Sequence, residues 1–407
     1  MPPLEAWEKV LVNGETYLDT VHGQIACMDC HGGAQSSDKA TAHTDLIANP
    51  SDDPEAACGE CHPDVVAMNQ YSLHNNLEGY WTVLDPRRDT TDAVSHAAIT
   101  EGFGNHCSSC HATCGECHVS QPNLVGGGFI DGHMFNETPS MTRNCTACHG
   151  SRVGNEYLGK HEGLKADVHL REGRMNCVDC HSGHEMHGQP AECQTCHTGP
   201  EAVSVAPADH RYAGVQQPRC ETCHTTVAIG QDEIPMHQAH GSDLSCQVCH
   251  SIAYTSCDNC HVALSETTGN PFFATEASYL GFFIGLNPLQ SYDRPYKYVP
   301  VRHIPVSPDS FSFYGENLLP FFDALPTWKY TTPHNIQRET PQTESCNACH
   351  GNPLLFLTID KVYPDEVEAN LPVIVDVIPP LIITDTLTIT ATITSTLPVE
   401  VTPTATP

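Results

Sequence analysis

The apolar positions of this 407-residue chain keep a steady period in only a few stretches. Between residues 1 and 21, Trp7, Val10, Leu11 and Leu18 recur near one face, which predicts an amphipathic helix. A second helix is predicted over 64–84, carrying His74. Elsewhere Gly, Pro, Asn and Asp interrupt the pattern every few residues, so short helices and loops are expected. After Lys361 the character changes, and no Cys, His, Lys or Arg follows. There LIITDTLTITATITSTLP alternates Thr with aliphatic residues, a strand pattern. The closing TPTATP is Thr/Pro-rich, like a stalk or linker. Three roles stay open for this tail: an O-glycosylated stalk, a lead to a lost anchor, or a strand for a neighbour's sheet edge. No stretch approaches the roughly eighteen uninterrupted apolar residues of a membrane-spanning helix. The opening MPPLEAWEKV lacks the basic and apolar runs of a signal peptide.

Cysteine changes the picture. All 22 cysteines fall in eleven copies of the word Cys-x-x-Cys-His. The copies run Cys27, Cys30, His31; Cys58, Cys61, His62; Cys107, Cys110, His111; and Cys114, Cys117, His118. They continue as Cys145, Cys148, His149; Cys177, Cys180, His181; Cys193, Cys196, His197; and Cys220, Cys223, His224. The last three are Cys246, Cys249, His250; Cys257, Cys260, His261; and Cys346, Cys349, His350. This word is the attachment signature of c-type haem. The two sulfurs bond to the haem edge, and the adjacent His reaches under the ring as proximal iron ligand. Zinc knuckles, thioredoxin-like pairs and disulfide frameworks also place cysteines in pairs, but none of them requires the following His. His is 26 of 407 residues, so chance would put it there about once in sixteen trials, not eleven times in eleven. Two doublets are tight: CSSCHATCGECH and CQVCHSIAYTSCDNCH tether neighbouring haems nearly in contact.

Composition then bounds the architecture. Hydrophobic residues are 39% of the chain, against 29 Gly and 31 Pro, which is poor material for a large side-chain core. From His22 to His350 the chain spends about 30 residues per motif. Eleven apolar porphyrins are therefore expected to supply much of the core, and the chain without them to be largely unfolded. The expected fold is mostly irregular, with short α-helices wrapped around a stacked haem chain, little β, and a Thr-rich C-terminal tail that can form strand. Residues 1–261 form an N-terminal decahaem region. Residues 262–361 are an aromatic-rich, haem-wrapping region with the eleventh motif, and 362–407 are the Thr/Pro-rich tail. Residues 262–345 hold 15 aromatic residues, among them Phe282, Phe283, Tyr296, Tyr298, Phe311, Phe313, Phe321, Phe322 and Trp328. The formal charge of −31 argues against nucleic acid or an anionic membrane surface as partner.

Fifteen histidines lie outside the motifs, enough for a second axial ligand on every iron. The preferred distal set is His22, His43, His74, His96, His133, His169, His187, His210, His240, His303 and His334. His22 and His240 precede a motif by a few residues, and the others stand in segments that look built around them. His303 and His334 are to be delivered by the aromatic region. His237 and His106 are alternates, and His161 and His184 are bystanders. Two His per iron leave no open position; the axial ligand is then the main lever on potential.

The motif array over 22–350, with HCSSCHATCGECHVSQP, NCTACHGSRVGNEYLG and TPHNIQRETPQTESCNACHG, resembles the multihaem c-type cytochromes of respiratory and extracellular electron transfer. That resemblance implies eleven haem c groups, serial electron hopping and an electron carrier rather than an enzyme. It implies an extracytoplasmic location, in periplasm, at the cell surface or secreted, with the export signal absent from this numbering. Some relatives are periplasmic carriers, some pass electrons to metal oxides, and some polymerise into haem-lined filaments. Redox proteins or an extracellular acceptor, and further copies of the chain as a homopolymer or nanowire, are the expected partners. The alternative is a multihaem oxidoreductase of the nitrite, hydroxylamine or tetrathionate type with one open haem. No Cys-x-x-Cys-Lys of the pentahaem nitrite reductases occurs here, and no catalytic residue is assigned.

Overall fold

Six copies of the Cys-x-x-Cys-His word fold as about one helical turn each. In the computed structural model this turn is Cys27–His31, Cys114–His118, Cys177–Cys180, Cys220–Cys223, Cys246–His250 and Cys346–Cys349. A helical turn puts positions i, i+3 and i+4 on one side, so both thiols and the imidazole face together. Two motifs supply their own capping box: Glu116 caps back to Thr113, and Asp179 to Asn176. At the fifth motif Thr146–His149 is helical, and at the second Cys58 closes the turn Pro54–Ala57. The structure describes residues 4–76, 78–108, 112–161, 163–188, 218–227, 232–254, 256–290, 294–304 and 306–382. For Glu78, Cys107, Leu124, Arg152 and residues 256–263 and 273–280 it describes the backbone alone.

Two predicted helices are broken. Residues 1–21 contain only the single turns Ala6–Lys9 and Gly14–Tyr17, and Trp7, Val10, Leu11 and Leu18 are exposed. The break has a tertiary cause. Lys9 O accepts from Phe129 N at 2.7 Å and Asn13 N donates to Gly132 O at 3.2 Å, so this stretch pairs with a distant loop. The 64–84 stretch is interrupted after Pro63–Asn69; Leu73–Asn76 and Glu78–Leu84 are helical on either side of residue 77, which lies outside the described residues. At the first break, Ser72 Oγ donates to Met186 O at 2.7 Å.

The described fold is mixed, with many short helices and little strand. Strand β1 (Ser256–Leu264) pairs antiparallel with β2 (Pro271–Leu280), so the backbone of the tenth motif is extended. A three-stranded antiparallel sheet follows in the order β3 (Phe283–Leu286), β4 (Tyr298–His303), β5 (Trp328–Tyr330). Its core is Tyr296, Val299, Val301, Trp328, Leu357, Val362, Val373 and Ile374. A second cluster joins Val248 of a motif helix to Ile284, Phe356 and Val375. A third packs Leu84 and Ile99 against Phe311, Leu318 and Leu319. The aromatic region thus makes a core of its own, and packing runs past residue 361 to include Val373, Ile374 and Val375. The Thr-rich stretch beyond 382 lies outside the described residues. Among the described residues no helix is long and apolar enough to cross a membrane.

The third cluster is stapled by Arg87, which is fully buried. Its guanidinium donates to the carbonyls of Val83 (2.7 Å), Phe322 (2.9 Å), Leu325 (3.1 Å) and Pro326 (3.2 Å). Arg87→Met leaves these acceptors unsatisfied and is expected to destabilise the protein by at least about 3 kcal/mol, measured by denaturant unfolding.

Candidate metal centres

Eight of the eleven motif histidines have described side chains, and each faces one histidine from outside the motifs. The ring centres stand 5.9 Å apart in His31–His133, 6.2 Å in His62–His22, 6.1 Å in His118–His187 and 6.1 Å in His149–His74. They stand 6.4 Å apart in His181–His334, 5.8 Å in His224–His169, 6.3 Å in His250–His237 and 6.2 Å in His350–His240. Metal–imidazole bonds run at about 2 Å, so two imidazoles on opposite sides of one ion put their ring centres about 6 Å apart. The spacing therefore fits a pair of axial ligands on one metal.

The free ring nitrogens agree with that use. A ligating imidazole commonly donates its other N–H to a carboxylate or carbonyl, which fixes tautomer and orientation. Nδ1 of His31 meets Ile47 O at 2.9 Å, that of His118 meets Asn136 O at 2.7 Å, and that of His250 meets Gln337 O at 3.1 Å. His350 uses Pro380 O at 3.0 Å and His240 uses Met236 O at 2.8 Å. Three others meet carboxylates: His169 with Asp167 and His181 with Glu185, each at 2.9 Å, and His237 with Asp232 at 2.7 Å. His133 and His334 bury Nδ1 without a partner. Tyr17 and Phe129 set the His133 ring edge-on at 4.7 and 4.8 Å.

Burial holds several of these rings in the neutral, lone-pair-bearing form. Desolvation lowers His22, His133, His149 and His187 below the ordinary imidazole range. It pushes the deeply buried His334 down to about 4. The hydrogen bonds from Glu185 and Asp167 raise His181 and His169 instead.

The motifs also form a file in space. Cys58 feels the charges of both Cys30 and Cys114, and Cys117 that of Cys145. Cys145 and Cys177 share a thiol hydrogen bond, Cys180 neighbours Cys220 and Cys223, Cys220 bonds Cys246, and Cys249 neighbours Cys349. Among the eight motifs with described side chains the order is that of the sequence, from Cys30 to Cys349. None of the 16 cysteines with described side chains is in a disulfide. Among the described residues no group of three or more His, Cys, Asp or Glu could enclose a metal. At the His224–His169 pair a cleft opens, lined by Arg219, Glu221, His224, Thr225, Val227 and Tyr296.

Of the expected distal ligands, His22, His74, His133, His169, His187, His240 and His334 face a motif histidine, and so does the alternate His237. His303 faces no motif histidine among the described residues; its Nε2 lies 3.0 Å from both oxygens of buried Glu366, which also accepts from Thr327. Its place at the end of β4 points it into the sheet core, where local sequence gave no warning of the Glu366 carboxylate. His106 Nε2 meets the Tyr314 hydroxyl at 2.6 Å. His43, its Nδ1 held by Lys39 O, and His96, beside Trp81, face no motif histidine among the described residues. His161 packs on Tyr254, and His184 neighbours His187. Cys110, His111, Cys193, Cys196, His197 and His210 lie outside the described residues, and Cys107, Cys257, Cys260 and His261 are described by backbone alone.

Comparison of the chain with protein-family models, with characterised proteins and with solved structures returned no match.

The segment 333–337 binds three of the pairs together. His334 N donates to Glu156 Oε2 at 2.7 Å, Ile336 N to Asp167 Oδ2 at 2.6 Å, and Gln337 N to His250 O at 2.8 Å. Glu156 is fully buried and pairs with Arg302. Glu156→Ala strands that guanidinium and frees the His334 main chain. The expected cost is about 3–5 kcal/mol, checked by denaturant unfolding.

Proposed function

We propose that this chain is a multihaem electron-transfer protein that passes electrons along eleven covalently bound c-type haems. The observation that carries the proposal is that every motif histidine with a described side chain faces a second histidine at 5.8–6.4 Å. In this reading the thiols of each motif tether a haem, the motif His holds one side of iron and the facing His the other. The haem supplies one-electron chemistry at iron. The chain sets spacing, excludes substrate from the axial positions and tunes each potential through hydrogen bonds to the ligands. Sites ordered in one file give a path for serial hopping without proton chemistry. With both axial positions taken at eight sites, transport is favoured over catalysis there.

A pyridine-adduct assay is expected to count eleven haems per chain, and far fewer would end the proposal. Low-spin ferric signals alone are expected by EPR, in two classes, because the angle between imidazole planes sets the splitting of the iron d orbitals. The planes are near parallel in His118–His187 (16°) and His181–His334 (22°), and near perpendicular in His149–His74 (87°). His334→Ala should convert one low-spin site to a high-spin or ligand-exchangeable one.

The file also suggests end-to-end assembly. Large apolar side chains are exposed in the segments before the first motif (Trp7, Leu11, Val21) and after the last (Leu354, Val377, Leu381). A second copy of the chain, joined last site to first, would cover both and extend the path. Such an acidic chain repels its own copies, so apolar contact must supply the attraction. Negative-stain microscopy of the holoprotein should show linear polymers, and only dispersed particles would refute the assembly.

A further inference from the structure

We propose that three carboxylates, Asp167, Glu185 and Asp232, hold the middle of the file at a lower reduction potential than its ends. The proposal rests on the haem reading above. Each carboxylate accepts the Nδ1–H of one histidine of a facing pair: His169 at 2.9 Å, His181 at 2.9 Å and His237 at 2.7 Å. An imidazole hydrogen-bonded to an anion is a stronger donor to its metal than one bonded to a neutral carbonyl. Extra electron density on iron stabilises the ferric state over the ferrous, so the potential falls.

The placement is not scattered. The three pairs are His181–His334, His224–His169 and His250–His237, and their cysteines are successive along the file through Cys180, Cys220 and Cys246. Towards the first end, His31 and His118 rest on the carbonyls of Ile47 and Asn136. At the last site both rings rest on carbonyls, those of Met236 and Pro380. Arg171, two residues from His169, is engaged by Glu172 at 3.4 Å, so its charge is partly offset. The three carboxylates act as positioning residues through the imidazoles and touch no metal. As electrons are added, the outer sites fill first and the three middle ones last. Through-flow is then governed by the climb into the middle.

The test is a mediated spectroelectrochemical titration of the holoprotein beside Asp232→Asn, Glu185→Gln and the triple variant that adds Asp167→Asn. Each replacement keeps an acceptor oxygen for the ring and removes the charge. Asp232 lies in a loop, and among the described residues its carboxylate otherwise accepts from Ile234 N alone, at 2.9 Å, so this variant tests the idea without disturbing a core. Each single variant should move one haem's share of the lowest-potential limb upward by about tenfold in the one-electron equilibrium, about 59 mV. The triple variant should move three shares. Superimposable curves, or downward movement, with eleven haems still counted in every sample, would overturn the proposal alone. A wild-type haem count far below eleven would overturn the haem reading and this proposal with it.

Discussion

Pairs of imidazoles with ring centres 5.8–6.4 Å apart are the constraint on which the rest of this structure depends. Side chains do not hold such a gap unaided. A buried ring would otherwise collapse onto its neighbour or turn to find a donor or acceptor. The chain prevents this at half of the rings by fixing them from behind. Eight of the sixteen paired histidines are anchored through Nδ1 to a carbonyl or carboxylate. Several anchors come from far along the chain, as with Gln337 for His250 and Pro380 for His350. The facing ring is distant too, as His334 is from His181. The fold is therefore a series of clamps across long sequence separations, and short turns suffice to build it.

The segment around His334 shows how one clamp serves several sites. Asp167 accepts from His169 N, from Ile336 N and from the His169 ring, so a single buried carboxylate fixes a ligand of one pair and the strand that carries a ligand of the next. Burying that charge is tolerable because each oxygen has a donor. Glu156 does the same for His334 and Arg302. These buried charges lie between ligand pairs, where a shift of one ring is passed to its neighbour.

Apolar packing is unevenly spread. Residues 244–254 and 282–375 hold most of the buried aliphatic and aromatic side chains, while the helical turns before residue 77 bury none. The sheet gives the later sites a rigid protein wall. The earlier histidine pairs have short turns and loops around them. The chain as a whole is strongly acidic, with a formal charge of −31.

The sequence by itself determined where the thiols and motif histidines stand and that one helical turn would align them, because that geometry is local. It also marked seven of the facing histidines, which lie in short segments of distinctive context. It preferred His96 and kept His237 as an alternate. Which ring meets another imidazole depends on contacts across the fold, just as the carboxylate of Glu366 reaches His303 from 63 residues away. The predicted helices at 1–21 and 64–84 broke for the same reason, since backbone groups at Lys9, Asn13 and Met186 found partners in distant segments. The order of the sites and the anchor behind each ring were likewise settled by tertiary structure, because hydrogen bonds between remote segments leave no periodic trace in the chain.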